Sequence, residues 1–293
     1  MKKKVLVMLS SYNGERYILE QINSIYNQND VEINLVVRDD GSSDSTVNLL
    51  KRNFPKIDII SGRNIGWKRS FLSLLYAASR EYDYYAFADQ DDIWLEDKMK
   101  LAIEKMYNYE ECPCLYYSMM TQVDEDLKIM EKQQPLHYPV EKPMVLFQNF
   151  VQGSTIVFNQ KLLQVAQKYV IEDPIPHDIW LPILATYTGK VIFDKSSYIL
   201  YRIHSDNVTV SMKNQYWKNL IKSIFSCEMV DNYAKYLREG YFEELTDSDF
   251  KIIDKVANYK SYKLFLLFNK NIRKLSFKGT LFLKLAILFG RMR

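Results

Sequence analysis

Three carboxylates lie within four residues at the end of an apolar stretch, and they are the side chains best suited to chemistry. The stretch YYAFADQDDIW at 84–94 places Asp89, Asp91 and Asp92 after a run typical of a buried β-strand. Acids this close repel one another unless a cation lies among them. Hard oxygen ligands at a strand end suit Mg²⁺ or Mn²⁺ carrying substrate phosphates. The alternative is an acidic turn that caps the next helix, and the acids alone do not decide between the two.

A second acidic motif, DDGSSD at 39–44, follows the apolar stretch Ile33–Arg38. A carboxylate at this strand end can accept hydrogen bonds from a nucleotide base or ribose. The alternative is an ordinary turn in which Ser43 or Asp44 caps the following helix. Because two acidic clusters follow two different strands, we favour the binding interpretation.

Two motifs in the second half carry further candidates. His177-Asp178 precedes an apolar helix, where an acid is either a helix cap or a general base that faces a cleft. In the stretch 201–204, Arg202 and His204 alternate and share one strand face. Arg202 could then bind a diphosphate and His204 a metal, or both could lie on a solvent-facing edge.

Strands and helices alternate through the first hundred residues, with a polar loop after several strands. The predicted strands here are Val5–Leu9, Ile33–Arg38, Ile57–Ile60 and Tyr84–Ala88, and the clearest predicted helices are Trp67–Ser79 and Glu96–Tyr109. This alternation predicts a mostly parallel α/β sheet with flanking helices, whose ligands bind at the carboxyl ends of the strands. Later strands are predicted at Leu115–Val123, Gln152–Phe158, Lys190–Phe193 and Tyr198–Ile203, and helices from about Met212 to the end.

Composition sets limits on the class of protein. The 293 residues are 47% hydrophobic, which is enough for a sizeable core and argues against disorder over most of the chain. Three cysteines form no disulfide framework and indicate a reducing compartment. The apolar run Val5–Leu9 is too short for a signal peptide, and we expect no transmembrane helix.

The charge is distributed unevenly along the chain. Residues 255–293 carry ten Lys or Arg and no acid, whereas the rest of the chain has 29 basic and 36 acidic residues. Basic, aromatic and amphipathic stretches suit an anionic membrane surface. The alternatives are helices packed on a catalytic domain with basic outer faces and, less favoured, nucleic-acid binding.

Taken together, four motifs resemble the GT-A-fold family 2 glycosyltransferases, in particular the bacterial rhamnosyltransferase-like branch. They are DDGSSD at 39–44, ADQDD at 88–92, HDIW at 177–180 and YRIHSDN at 201–207, in the order that the family has them. The resemblance covers about residues 3–210. Many members of the family have Glu-Asp where this chain has His177-Asp178, so only Asp178 carries over.

The resemblance implies a role for each matching residue. Asp39 would contact the nucleotide base, Asp89 and Asp91 would hold the ribose and a divalent metal on the diphosphate, and Asp178 would be the catalytic base. The full set of nucleotide-sugar-binding residues implied is Ser10, Tyr12, Asp39, Asp40, Lys68, Asp89, Gln90 and Arg202. Asp91 and His204 are the predicted ligands of Mn²⁺ or Mg²⁺.

The sequence therefore predicts a GT-A domain over 1–210, with a nucleotide-sugar half at about 1–110 and an acceptor half at about 111–210. A helical, basic region follows at 211–293. The predicted activity is metal-dependent, inverting transfer from a nucleoside-diphosphate sugar, dTDP-rhamnose by resemblance, to a lipid-linked or oligosaccharide acceptor. We expect peripheral association with the inner face of a bacterial membrane and no nucleic-acid partner.

Three alternatives remain beside this prediction. The first is the same reaction with a UDP-hexose donor, and the second is a nucleotide-sugar-binding protein without catalysis. The third, a phosphoryl-transfer enzyme, lacks a glycine-rich phosphate loop with its lysine. The intact acids Asp89, Asp91 and Asp178 argue against the second alternative.

Overall fold

A computed structural model describes residues 2–130, 140–204 and 230–293. The chain divides into two compact units. The first comprises Met1–His137, Val151–Ala185 and Gly189–Ile203, and the second Tyr138–Phe150, Thr186–Thr188 and His204–Arg293. The predicted boundary at 210 lies outside the described residues.

The first unit is built on one eight-stranded sheet. Its strands are β1 (Lys3–Ser11), β2 (Val31–Asp39), β3 (Asp58–Ser61), β4 (Tyr84–Ala88), β5 (Ile93–Trp94), β6 (Cys114–Val123), β7 (Val157–Asn159) and β8 (Lys190–Arg202). They lie in the order β3-β2-β1-β4-β7-β6-β8-β5. Four of the seven pairings are parallel, which confirms the α/β class and the mostly parallel sheet.

Helices connect and cover these strands. They are α1 (Ile18–Tyr26), α2 (Thr46–Asn53), α3 (Trp67–Ala77), α4 (Lys98–Met106), α5 (Gln160–Ala166) and α6 (His177–Thr188). The core packs the apolar faces of these helices against strands that are buried on both faces. Val7 and Met8 of β1, and Ala86 and Phe87 of β4, are adjacent residues on opposite faces and all are fully buried, as the continuous apolar runs in the sequence require.

Two predicted strands have a different form in the structure. The stretch predicted at Gln152–Phe158 begins as a short 3₁₀ turn, Gly153–Thr155, and becomes a strand only at Val157. The two runs predicted at 190–193 and 198–203 are one strand, β8, which ends at Arg202. Register shifts in its pairing with β6 near Met119 interrupt the alternation of buried and exposed side chains, which explains why the sequence suggested two strands.

The second unit contains four further helices among the described residues. They are α7 (Ala234–Gly240), α8 (Asp247–Ala257), α9 (Lys263–Phe268) and α10 (Phe277–Leu288). Part of the helical stretch predicted from Met212 lies outside the described residues. Within those residues, no helix is both long and apolar enough to cross a bilayer.

Candidate active site

The loops after β1, β2 and β4 leave the sheet from the same edge. β1 lies between β2 and β4, with Ser11 opposite Asp39 on one side and Leu9 opposite Ala88 on the other. Both acidic motifs of the sequence therefore follow neighbouring parallel strands. This edge is where open α/β sheets bind their ligands.

Asp39 presents one carboxylate oxygen that no described group uses. Its Oδ2 atom accepts hydrogen bonds from the backbone N–H groups of Gly41 (3.2 Å) and Ser42 (3.0 Å). The turn requires a φ of +83° at Gly41, a value that favours glycine. Oδ1 is buried and has no hydrogen-bond partner within the described residues. A buried carboxylate oxygen of this kind is suited to accept an N–H or O–H group of a ligand.

Asp40 is fully engaged by the protein. Its carboxylate pairs with the Arg38 guanidinium and accepts hydrogen bonds from the backbone N–H groups of Ile65 and Gly66, both at 2.9 Å. The side chain is 3% exposed, and these contacts position the loop, while the ligand contact of Asp40 stays a prediction. The loop that it fixes leads into α3, whose second residue, Lys68, is half-buried and forms no ion pair with any described residue.

The Gln90 side chain also forms hydrogen bonds within the protein. Its Oε1 atom accepts hydrogen bonds from Ser11 Oγ (3.0 Å) and Tyr12 N (2.9 Å), and its Nε2 atom donates to Tyr12 O (3.1 Å). Gln90 thereby ties the β4 loop to the β1 loop. Tyr12 keeps an exposed ring, and Ser10 is bonded to the hydroxyl of Ser70 at 2.6 Å.

In the second acidic loop, Asp89 lies close to other carboxylates. Burial and the negative charges of Asp91 and Asp178 raise the pKa of Asp89 to about 7. Three carboxylates from two distant parts of the sequence are thus brought together at one site. Their repulsion stabilises the protonated form of Asp89, and a bound cation would relieve it.

Asp92 is held beneath this cluster and faces groups that the sequence analysis missed. It is fully buried, and its Oδ1 atom accepts a hydrogen bond from Arg202 N (3.2 Å). The Lys98 ammonium, 3.7 Å from the centre of the Trp94 ring, forms no hydrogen bond with the described residues. Burial lowers the pKa of Lys98 to about 7, while the Asp92 charge opposes that shift. Helical spacing could have revealed Lys98, because it lies on the buried face of α4 with Met99 and Ala102.

Arg202 is buried and has several partners within the protein. Its side chain is 3% exposed, and its Nε atom donates to the carbonyl of Asp91 at 2.9 Å. The two terminal nitrogens donate to the Glu125 carbonyl (2.7 Å) and to Glu20 Oε2 (2.6 Å). The guanidinium also lies 4.4 Å from the centre of the Tyr17 ring. Arg202 therefore positions the second acidic loop, and its predicted contact with a diphosphate stays a prediction.

His177 and Asp178 have different surroundings although they are adjacent. The His177 ring packs 4.1 Å from Phe71 and 4.3 Å from Phe87, between ring centres. A side chain at Gly153 would meet its Nε2 atom at 2.4 Å, so the close packing requires glycine there. Burial lowers the pKa of His177 to about 3, so the ring is neutral. Asp178 is half-buried in the first turn of α6 and acts electrostatically on Asp89.

The donor set fits a divalent cation that shares its coordination with a substrate. Within the described residues, no three His, Cys, Asp or Glu side chains form a complete metal site. Mg²⁺ and Mn²⁺ on nucleotides are held by one or two carboxylates together with phosphate oxygens. Asp89 and Asp91 are the two carboxylates here that could contribute to such shared coordination, and the Asp91 charge is one cause of the raised pKa of Asp89. His204 is 9% exposed and begins the last segment of the second unit, and its metal role stays a prediction.

Comparison with known proteins identifies relatives of one chemical class. The sequence profile described as Glycosyl transferase family 2 matches residues 6–165, which contain both acidic loops. The dTDP-rhamnosyl transferase RfbG of Shigella flexneri is 29% identical, with 80% of this chain aligned to 86% of that protein. An Escherichia coli enzyme, UDP-Glc:alpha-D-GlcNAc-diphosphoundecaprenol beta-1,3-glucosyltransferase WfgD, is 32% identical over 35% of this chain and 40% of its own.

Solved structures share the fold. The crystal structure of S. aureus TarS 1-349 in complex with UDP-GlcNAc matches with a TM-score of 0.55 and 15% identity. The match covers 98% of this chain and 92% of the TarS chain. At this identity the likeness concerns the fold, and it agrees with a GT-A arrangement.

Proposed function

The chain belongs to glycosyl transferase family 2, and from this premise we propose that it is an inverting, metal-dependent enzyme acting on a nucleoside-diphosphate sugar. That it is a glycosyltransferase follows from the family, while the metal, donor and acceptor belong to the proposal. The observation that carries the proposal is the convergence of Asp89, Asp91 and Asp178 beside the Asp39 loop. One edge of the sheet thus combines groups suited to bind a nucleotide base, a diphosphate and an acceptor hydroxyl.

The first acidic loop would bind the nucleoside. The Oδ1 atom of Asp39 is a single buried acceptor, which suits the N3–H group that thymine and uracil share. Asp40 and Arg38 fix the neighbouring loop, so Lys68 at the start of α3 could approach the diphosphate. Gln90 holds the loop of Tyr12, whose exposed ring is available to stack on the base.

Asp91, with Asp89, would hold Mn²⁺ or Mg²⁺. When bound, the cation would supply positive charge to the diphosphate leaving group. Arg202 and Gln90 would serve this site by fixing the backbone of the loop that carries both acids. His204 stays the second proposed ligand.

Asp178 would be the general base. Its carboxylate accepts the proton of the acceptor hydroxyl while that oxygen attacks the anomeric carbon, and the bond from that carbon to the diphosphate breaks. A single displacement inverts the anomeric configuration and needs no covalent intermediate. Its negative charge is one of the causes that raise the pKa of Asp89, so Asp178 lies close to the acids proposed to bind the donor.

The proposed donor is dTDP-rhamnose, and a UDP-hexose is the second candidate. The first is supported by the similarity to a dTDP-rhamnosyl transferase over four fifths of the chain. The second is supported by the shorter match to an enzyme named for UDP-Glc. dTDP and UDP differ at the C5 methyl group and the ribose 2′-hydroxyl. Asp39 would contact neither of these groups, so it would not discriminate between the two donors.

The acceptor would be a lipid-linked saccharide of bacterial surface polysaccharide synthesis, at the inner face of the membrane. Support comes from the relative named for a diphosphoundecaprenol acceptor and from the ten basic residues of 255–293. The absence of acids in that segment favours an anionic lipid surface. The protein would then be a peripheral membrane enzyme.

The experiment combines donor hydrolysis with product analysis. The purified protein is incubated with dTDP-rhamnose or UDP-glucose and Mn²⁺, and release of the nucleoside diphosphate is measured with and without a diphospholipid-linked sugar. We expect slow hydrolysis of one donor and faster release with the acceptor, with an inverted anomeric linkage in the product by NMR. Binding of a donor without hydrolysis or transfer of any sugar would favour a binding protein over an enzyme.

A further inference from the structure

A cavity of about 380 Å³ in the second unit lies where α9 ends and α10 begins. Four basic side chains line it, and no acid does. They are Lys270, Arg273, Lys274 and Lys284. The reaction proposed above uses none of these residues, so this concentration of positive charge needs another explanation.

Two of the four cations, Lys274 and Lys284, are half-buried. Lys284 Nζ donates to the carbonyls of Leu266 (2.6 Å) and Asn269 (3.0 Å), at the end of α9. An ammonium has three donors, so one of them has no assigned partner within the described residues. Lys274 is half-buried, and burial lowers its pKa although the charge of Asp231 opposes the shift. A bound anion would compensate this cost of burial.

The other two cations are exposed, and acids only partly compensate them. Lys270 forms no ion pair with a described residue, and Arg273 lies 3.9 Å from the Glu141 carboxylate. Both side chains of that pair are at least half exposed, so solvent and salt screen the interaction. Neither Glu141 nor Asp231 lines the cavity. The cavity therefore keeps a net positive potential.

The rim of the cavity is apolar and unusually exposed. Phe268 and Phe277 both line it and are 82% and 84% exposed, the highest values among the large hydrophobic side chains described. The exposed apolar surface continues along α10 through Leu281, which is 51% exposed, to Phe289 at 62%. The opposite face of the same helix packs Leu283 and Ile287 into the core of the unit. Aromatic side chains are rarely this exposed to solvent unless they contact another surface.

We propose that this cavity binds the phosphate of an anionic lipid headgroup while Phe268 and Phe277 enter the outer acyl region of the bilayer. The proposal deepens the peripheral membrane association proposed above and rests on it. A soluble phosphate would use the four cations but not the two phenylalanines. An anionic bilayer uses both, because it presents phosphates next to an apolar interior.

The test is flotation with vesicles of phosphatidylcholine alone or with phosphatidylglycerol, at one fixed salt concentration. Two double variants are compared with the full-length parent, F268S/F277S and K270E/R273E. The matched controls lie in the first unit, where Y107S removes a ring that is 68% exposed and K51E/R52E reverses two exposed charges. We expect parent binding only with phosphatidylglycerol, a loss of about tenfold or more in each double variant, and parental behaviour of both controls.

A second measurement distinguishes binding of a lipid headgroup from binding of a soluble phosphate. Glycerol 3-phosphate is titrated into the parent and both double variants. Weak binding that K270E/R273E abolishes and F268S/F277S retains supports a headgroup site with an apolar rim. Millimolar or weaker binding in the parent together with strong vesicle binding supports it equally, because the acyl contact then supplies the affinity.

Three outcomes would overturn the proposal. The first is parental vesicle binding by both double variants, and the second is tight binding of glycerol 3-phosphate without vesicle binding. The third is a dimer that F268S/F277S converts to a monomer in light scattering, which would assign the apolar rim to a second copy of the chain. Donor hydrolysis in vesicle-free buffer should be parental in both variants, so its failure in the parent would count against the proposed reaction and not against this site.

Discussion

The two acidic loops at the edge of the sheet look alike in the sequence, yet the protein treats their charges in opposite ways. At the end of β2, Arg38 and two backbone N–H groups neutralise Asp40, and two more N–H groups bind one oxygen of Asp39. After β4, Asp89 and Asp91 face the further acid Asp178, and the pKa of Asp89 rises to about 7. In the first loop a single buried oxygen, Asp39 Oδ1, has no hydrogen-bond partner within the described residues, whereas in the second loop the carboxylates repel one another and a cation would relieve that repulsion.

This difference indicates a division of labour between the loops. A preorganised loop with one buried acceptor can select a neutral N–H group of a base. A loop whose carboxylates repel one another can bind a cation together with phosphates. Counting acids in a sequence does not distinguish these roles, because the distinction lies in the partners that the fold brings to each carboxylate.

The largest effect on turnover is expected for a substitution of Asp178, the proposed general base. Replacing Asp178 by Asn keeps the shape and removes the proton acceptor, so turnover should fall by about 10²–10⁴-fold. Donor affinity should change little, since this residue would contact the acceptor hydroxyl. The measurement is turnover with an active acceptor beside a donor titration, and Asp126→Asn in an exposed loop is the control. Near-parental turnover would remove Asp178 from the mechanism, and loss of donor binding would place it in the nucleotide site.

Stability should respond in opposite directions to changes in the two loops. Asp40→Asn leaves the Arg38 side chain, which is 9% exposed, without its counter-charge, and should lower the free energy of unfolding by about 3–5 kcal/mol. Asp91→Asn in EDTA removes a repulsion and should leave that free energy unchanged or raise it. Urea unfolding of both variants and the parent, without divalent cations, measures the contrast. Equal destabilisation by both variants would mean that the loops are not different in this respect.

A smaller effect concerns the pH dependence of stability, which the neutral imidazole of His177 should influence. Between the unfolded pKa of about 6.5 and the folded value of about 3, the unfolded chain binds more protons at His177, so stability falls as the pH drops through this window. From pH 7 to pH 5 this amounts to about 2 kcal/mol. His177→Phe should remove that part of the pH dependence, as measured by urea unfolding at both pH values. An unchanged difference between pH 7 and pH 5 would show that the imidazole is not held neutral.

The sequence predicted those features that depend on local patterns. The apolar runs of β1, β2 and β4 gave the strands, and the acids at their ends fell at the predicted edge because parallel neighbours end together. The 3₁₀ turn at Gly153–Thr155 was missed, because its three residues lead directly into the apolar run 156–158 and only the close packing of Gly153 on His177 shows what the turn does.

Long-range partners were beyond sequence reasoning. Arg202 donates hydrogen bonds to Glu20 and to the carbonyl of Glu125, which lie 182 and 77 residues away in the sequence, and the sequence alone suggested neither contact. Asp40 and Gln90 likewise found backbone partners in other loops. In each case a polar side chain beside a ligand motif suggested binding, while the fold uses that side chain to position the motif.

We propose that only the second acidic loop binds the nucleoside diphosphate through a cation. Isothermal titration of dTDP and of UDP into the parent, Asp39→Asn and Asp91→Asn, with Mn²⁺ and then with EDTA, tests it most directly. We predict that Mn²⁺ tightens binding about tenfold or more in the parent and by the same factor in Asp39→Asn, whose affinity is lower under both conditions because one charged hydrogen bond to the base is lost. In Asp91→Asn the Mn²⁺ effect should disappear. A parental Mn²⁺ effect in Asp91→Asn, or its loss in Asp39→Asn, would contradict the account.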